Sequence, residues 1–199
     1  GPGAANMVTG LATAMMDSVP IVCITGQVPR PAIGSDAFQE MDISGAVIPV
    51  TKHSYLVMDI KNLGHTIKEA FAIARSGRPG PVLIDIPKDV QAEEYNFIYP
   101  EEPVKLPGEN PLDKEIDPKG LDNTADLIAN AKRPVILAGH GILLSGASKE
   151  VIELSEKGDI PLSWTLLGSG AVPASHDLNM GMMGMHGEFA ANNAIQKAD

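Results

Sequence analysis

The chain has 199 residues, 44% of them hydrophobic and 20% charged, enough for a real core and ordinary for a globular protein. Its net charge of −10 argues against nucleic acid or an anionic membrane surface as a partner, because both bind a basic face. No apolar run is long enough to span a bilayer, and the single cysteine, Cys23, lies in an apolar run and reads as a buried, inert thiol in a reducing compartment.

Gly1-Pro2-Gly3-Ala4-Ala5-Asn6 precedes a helix that sets Met7, Val8, Leu11, Ala12 and Met15 on one side. Such a turn lets the backbone approach a ligand, although it can equally be only a turn. Val19–Thr25 is predicted as a strand buried on both faces. At its carboxyl end stands Gly26-Gln27-Val28-Pro29, where ligands collect in open α/β sheets. The loop Gly34-Ser35-Asp36-Ala37-Phe38-Gln39-Glu40 mixes an aromatic ring with amide and carboxylate groups. It could line a small polar pocket, with Gln39 donating to an oxyanion, or be a solvated connection. Thr51-Lys52-His53 offers a cation and an imidazole, the latter a base or a structural group.

From Asn62 to Ala74, Leu63, Ile67, Phe71 and Ala74 trace the apolar stripe of a helix, ended by Gly77 and Pro79. Arg78, in the stiff turn that follows, can bind a phosphate or cap the preceding helix. Pro81–Ile86 is a second buried strand, with Asp85, Lys88 and Asp89 gathered at its end. Gln91–Gly120, with five prolines and eight acidic residues, reads as a linker. A helix over Leu121–Asn130, a strand at Pro134–Ala138, a helix over Ser148–Lys157 and a strand at Pro161–Leu167 follow. This alternation predicts an α/β fold with parallel sheets covered by helices, the second half doubly wound.

In that second half Gly139-His140-Gly141, with Gly146 beyond, is similar to a dinucleotide-binding turn but has Leu144 at the third glycine position. Thr165-Leu166-Leu167-Gly168 and Gly184-Met185-His186-Gly187 also fall at strand ends or helix starts, where a cofactor could lie. The Met-rich run Met180–Met185 is expected to pack rather than to touch a cofactor. The sequence contains no metal-spaced Cys/His cluster, GxSxG, Walker loop or HExxH. It begins without methionine and stops straight after a helical stretch, so both ends are expected to be cut, and a targeting segment could precede residue 1.

GPGAAN, DSVPIVCITGQVP, IGSDAFQE, TKHSYLV, SGRPGPVLIDIPKDV and GMHG, in this order, resemble the large catalytic subunits of acetolactate synthases, which are thiamine-diphosphate enzymes. The resemblance is specific over residues 1 to about 90 and looser beyond. IGSDAFQE and Thr51-Lys52-His53 set it apart from glyoxylate carboligase, which has a different loop and a tryptophan at the position of His53. Another thiamine-diphosphate enzyme, such as that one or pyruvate oxidase, is the alternative, together with a non-catalytic flavin- or nucleotide-binding module.

The resemblance implies that residues 1–90 are the later part of a pyrimidine-binding domain, 91–120 a linker, and 121–199 a central domain truncated at its C-terminal end. It implies condensation of two pyruvates, or of pyruvate and 2-ketobutyrate, with loss of carbon dioxide. Gly3 and Ala4 would lie near the thiamine ring, Phe38 and Gln39 would face the second substrate, and Pro29 and Lys88 would line the channel. FAD would contact Arg78, Gly139, Gly141, Thr165, Leu166, Met185 and His186. Ala5 stands where the family usually has threonine, and His140 where glycine is common. The activating glutamate and the Mg2+ ligands would lie outside this chain, so no metal ligand is assigned within it and the chain alone is expected to be inactive. A homodimer or tetramer with the site between subunits, a possible small regulatory subunit and a cytoplasmic setting are likewise implied. The amputated first sheet is expected to expose edges, and the second half to be the better folded.

Overall fold

Two parallel sheets, one in each of two units, carry the architecture of the computed structural model, which describes residues 1–106 and 117–199. The units are Gly1–Asp113 and Lys114–Asp199. Among the described residues each sheet has three strands.

In the first unit, α1 (Pro2–Ala5) and α2 (Met7–Asp17) lead into β1 (Val22–Gln27). Then come α3 (Ile43–Ala46), β2 (His53–Leu56), α4 (Ile60–Arg75), β3 (Val82–Pro87) and α5 (Lys88–Gln91). The sheet order is β1-β3-β2, all parallel, with Val22 and His53 both in register with Val82. β3 takes the centre because every one of its side chains is buried, as a strand covered on both faces requires. Asp59 caps α4 by accepting from the Lys61 N–H at 2.9 Å, and Gly77, at φ +51°, turns the chain away after it. One face of the sheet packs on α4 through Ala70, Ala74, Val82, Ile84 and Ile86. The other packs on the short helices through Ala4, Leu11, Cys23, Ile43 and Leu83.

Several expectations are corrected here. β1 begins at Val22 and runs to Gln27, and it is an edge strand whose burial alternates, leaving Ile24 58% exposed. α4 approaches the sheet through the small side chains Thr66, Ala70 and Ala74, which allow close contact. Leu63 and Ile67 only flank that contact, and Phe71, expected on the buried stripe, is 55% exposed. β2 was not foreseen, because His53-Ser54-Tyr55-Leu56 carries too little apolar alternation to announce a strand.

The second unit runs α6 (Pro118–Asn130), β4 (Ile136–Ala138), α7 (His140–Ser145) and α8 (Ser148–Gly158). It continues with β5 (Leu162–Trp164), β6 (Asn179–Met182) and α9 (Phe189–Lys197). The order is β4-β5-β6, again parallel. α6 starts inside the expected linker because Asp117 caps it and Pro118 suits its first turn; of that linker, 107–116 lies outside the described residues. β5 stops at Trp164 rather than Leu167, since Thr165 caps a 3-10 turn over Leu166–Gly168 by accepting from Gly168 N–H at 3.2 Å. β6 forms in the Met-rich run at half-burial, and Met185 beyond it is 91% exposed instead of packed.

One buried cluster, built on Ala138, Leu162, Ala171 and Val172, serves the second unit against two in the first. Among the described residues no helix is long and apolar enough to cross a membrane.

Candidate functional site

The first unit gathers its candidate residues beyond the carboxyl ends of β1 and β3. Gln27 and Pro87 are in register at the last rung, so the Pro29 and Lys88 segments leave the sheet side by side. Arg30 ties them together. Its backbone N–H donates to Asp89 Oδ1 at 3.0 Å, its Nε donates to Asp89 Oδ2 at 2.7 Å, and its remaining nitrogens reach the Met58 carbonyl and the Glu93 carboxylate. The Arg30 guanidinium holds the Asp89 carboxyl below its ordinary value. Pro29 and Lys88 are both left exposed.

Against the same edge lies the Gly34–Glu40 loop. Gly1 abuts it so closely that a Cβ there would fall 1.7 Å from the Gln39 carbonyl oxygen. Gly3 is exposed with open space where a side chain would be, whereas Ala4 points into the core. Phe38 is 89% exposed, and Gln39 is exposed with a left-handed backbone at φ +64°. A non-glycine residue in that conformation with its side chain turned outward is the kind of strain that gathers at functional sites. The structure thus brings Gly3, Pro29, Phe38, Gln39 and Lys88 to one edge of one sheet.

Beneath the loop runs a buried polar chain. Asp85, 1% exposed, accepts from Thr25 Oγ1 at 2.8 Å and from Gln27 Nε2 at 2.9 Å. Gln27 Nε2 also donates to the Met41 carbonyl at 2.6 Å, and its Oε1 accepts from Val28 N–H at 2.9 Å. Every polar atom of that amide is used, and a flipped amide would face two acceptors with its oxygen.

The second unit sets out its candidates along the carboxyl ends of all three strands. Gly139 and Gly141 follow β4, Thr165 and Leu166 follow β5, and Met185 and His186 follow β6. The three ends are stitched: Thr165 N–H donates to the Ala138 carbonyl at 3.0 Å, and Met183 N–H to the Trp164 carbonyl at 2.9 Å. A Cβ on Gly139 or Gly141 would meet only open space. Leu166 and Met185 are exposed apolar groups. His140, half-buried, opens α7.

Other candidates have structural duties. Arg78 donates to Ser18 Oγ at 2.7 Å and to the Met15 and Met16 carbonyls, so it caps the end of α2 rather than the helix preceding it in sequence. Lys52 reaches the Ile73 and Ser76 carbonyls and Ser76 Oγ at the end of α4, and burial lowers its pKa. Thr51 Oγ1 donates to the Val47 carbonyl at 2.9 Å, and the His53 ring meets Tyr55 edge-on at 4.4 Å. Burial, then the Glu69 hydrogen bond, raises the Tyr55 phenol. Among the described residues no three His, Cys, Asp or Glu side chains converge to hold a metal ion.

Sequence reading missed Arg30 and Asn192. Arg30 finds partners 59 and 63 positions away, which no local pattern signals. Asn192 of α9 accepts from Gly184 N–H and donates to Gly184 O, both at 2.9 Å, clamping the turn before Met185 and His186. The Asn192-Asn193 pair inside a helix, where propensity disfavours asparagine, was the available signal.

Two family matches bear on these sites. The thiamine pyrophosphate enzyme N-terminal TPP binding domain matches residues 1–46, and the thiamine pyrophosphate enzyme central domain matches residues 121–199. Whole-chain relatives include an acetolactate synthase large subunit from Parasynechococcus marenigrum, 49% identical over 100% of this chain and 32% of its own length. An acetolactate synthase from Arthrospira platensis is 48% identical over 100% of this chain and 35% of its own length. A probable acetolactate synthase large subunit from Methanocaldococcus jannaschii is 48% identical over 100% of this chain and 34% of its own length. The chain thus spans about a third of the length of the curated relatives it matches.

Proposed function

This chain belongs to the thiamine pyrophosphate enzymes, among the acetolactate synthases, and on that premise we propose that it works as part of a large catalytic subunit. In that subunit residues 1–90 form the later part of the pyrimidine-binding domain, 91–120 the connection and 121–199 the central domain. The reaction joins two pyruvates, or pyruvate and 2-ketobutyrate, with loss of carbon dioxide, giving the acetohydroxy acids from which branched-chain amino acids are made. The setting is the cytoplasm, as the lone reduced thiol suggests.

The observation that carries this reading is the presentation of Phe38 and Gln39 on a braced loop at the sheet edge that also holds Gly3, Pro29 and Lys88. Thiamine diphosphate, when bound, supplies the chemistry of breaking and making the carbon–carbon bonds. The exposed, side-chain-free backbone at Gly3 fits a ring laid against it, with Ala4 behind. Phe38 excludes water from the second keto acid, and the Gln39 amide donates to its oxygen. Lys88, beside Pro29, draws the anionic substrate toward the channel.

In the central domain the open space at Gly139 and Gly141, with exposed Leu166 and Met185, fits the flat rings of FAD. Thr165 and His186 offer polar groups there. Magnesium ligands are assigned outside residues 1–199. Exposed apolar side chains in the first unit, Met16, Ile24 and Phe38, support burial in a larger assembly. That assembly is a homodimer or tetramer, to which a small regulatory subunit can add.

The test is acetolactate formation from pyruvate by the complete subunit, with thiamine diphosphate, Mg2+ and FAD added singly and together. Acetolactate that depends on thiamine diphosphate supports the proposal. Decarboxylation or oxidation of pyruvate without a new carbon–carbon bond moves the chain to a sister activity. Turnover by residues 1–199 alone would overturn the assignment of the activating glutamate and metal ligands to other segments.

A further inference from the structure

The Gly34–Glu40 loop adopts a conformation that its own sequence does not favour. Gly34, Asp36 and Gln39 all have left-handed backbones, at φ +83°, +55° and +64°, and only the first is glycine. Something must hold Asp36 and Gln39 there, and Glu40 does. Its side chain folds back over its own loop, Oε1 accepting from Gly34 N–H and Oε2 from Ala37 N–H at 2.9 Å. These contacts, the Gly34 one first, hold the Glu40 carboxyl below its ordinary value. Glu40 N–H closes the ring by donating to the Ala37 carbonyl at 2.9 Å. From below, Gln27 pins the following residue, Met41, to Asp85 in β3.

The brace is built as an anion held by backbone donors. Its negative charge is offset by the Gly34 and Ala37 N–H groups, which weakens its repulsion of an anionic substrate nearby. No side-chain cation is needed, which leaves the outer surface of the loop to Phe38 and Gln39. Both are turned to solvent, an apolar ring beside an amide, suited to the alkyl and carbonyl groups of a 2-keto acid.

We propose that Glu40 is a positioning residue for the carbon–carbon bond-forming step: it folds the loop so that Phe38 and Gln39 stand against the second keto acid, without itself touching substrate. This rests on the reading of Phe38 and Gln39 given above. It separates two halves of the reaction: release of carbon dioxide from the first pyruvate does not use the loop, and capture of the second keto acid does.

The experiment compares the complete synthase with Glu40→Gln and Glu40→Asp. Carbon dioxide released in the first turnover after mixing with pyruvate, and acetohydroxy acid formed at steady state with 2-ketobutyrate varied, are measured. Glu40→Gln keeps the shape but replaces one acceptor oxygen with a donor, so one of the two backbone bonds is lost. The KM for 2-ketobutyrate is expected to rise about tenfold or more, because a loop displaced by an ångström loses its alignment. First-turnover release of carbon dioxide, which precedes capture, is expected to fall less than about twofold. Glu40→Asp, which keeps the charge but shortens the reach, is expected to fall between wild type and Glu40→Gln.

A wild type that forms acetolactate, with first-turnover carbon dioxide release in Glu40→Gln falling as far as acetohydroxy acid formation or with an unchanged KM for 2-ketobutyrate, overturns this role alone. A wild type that forms no acetolactate overturns the functional reading and this role with it. Hydrogen exchange at the Gly34 and Ala37 amides tests the brace directly: faster exchange in Glu40→Gln is expected, and unchanged exchange overturns the proposal whatever the kinetics.

Discussion

Gly168 lies where the turn after β5 crosses the end of β4, and replacing it with alanine tests how the second unit is packed. A Cβ there falls 2.4 Å from the Ala138 carbonyl oxygen, 3.1 Å from the Ala138 carbonyl carbon and 3.2 Å from the Gly139 carbonyl carbon. All three are backbone atoms, so no side-chain rotation relieves the contact. Opening 2.4 Å to a tolerable 3.0 Å means moving the turn about 0.6 Å from β4. That motion also stretches the Thr165-to-Ala138 hydrogen bond, now 3.0 Å. Overpacking costs about 1–3 kcal/mol and the weakened bond about 1 more, so a loss of about 2–4 kcal/mol is expected.

Gly139→Ala is the control. Its φ of −101° and ψ of −174° suit alanine, and its Cβ meets nothing within 4 Å. It is expected to leave stability within about 0.5 kcal/mol of wild type, while weakening flavin binding if FAD lies where we propose. The assay is thermal unfolding followed by tryptophan fluorescence. Trp164, the one tryptophan in the sequence, lies in β5 and packs on this unit's core, so it reports on this unit. A loss of that size lowers the melting temperature by about 8 °C or more. Gly168→Ala melting with wild type, or Gly139→Ala melting as early as Gly168→Ala, would refute the packing argument.

Ser163→Ala is expected to stabilise the second unit by about 1 kcal/mol, because Ser163 Oγ is buried in β5 without a hydrogen-bond partner among the described residues; a higher urea midpoint at unchanged slope is the readout, and a lower midpoint would show that the hydroxyl is satisfied in solution. Acid is expected to loosen the candidate site of the first unit. Glu40 and Asp89 both have carboxyls lowered in the folded state, from ordinary values of 4.5 and 3.8, Glu40 chiefly by Gly34 N–H and Asp89 chiefly by Arg30. Their stabilising contribution is therefore complete above those values, declines as pH falls below them, and is gone once pH has passed the lower folded values. Proteolytic cutting in residues 28–40 should increase over that window, and cutting that is flat with pH would contradict it.

What could be read along the chain was whatever each segment expresses by itself. Val82 to Ile86 is apolar and β-branched enough to announce a buried strand, and it became the central one. The helix ending at Gly77 was legible because periodicity and the stop signal agree. Strings such as IGSDAFQE pointed to the family without any geometry, and relatives 48–49% identical over the whole chain bear this out. Phe38, Gln39, Pro29 and Lys88 could be marked as residues of interest on that ground alone.

Only the tertiary structure decided which segments meet. β3 lies between β1 and β2 although it follows both, so the Pro29 and Lys88 loops became neighbours across more than fifty residues of chain. Arg30 joined Asp89, Gln27 joined Asp85, and Phe71 was turned outward because smaller side chains of α4 took the sheet contact. The left-handed backbone at Gln39 depends on the neighbouring Glu40 carboxylate and on the Met41 carbonyl, which Gln27 pins from β1. Sequence carries local preference through side-chain size, periodicity and turn chemistry; burial, register and ion pairing are set by groups far apart in the chain and exist only once it has folded.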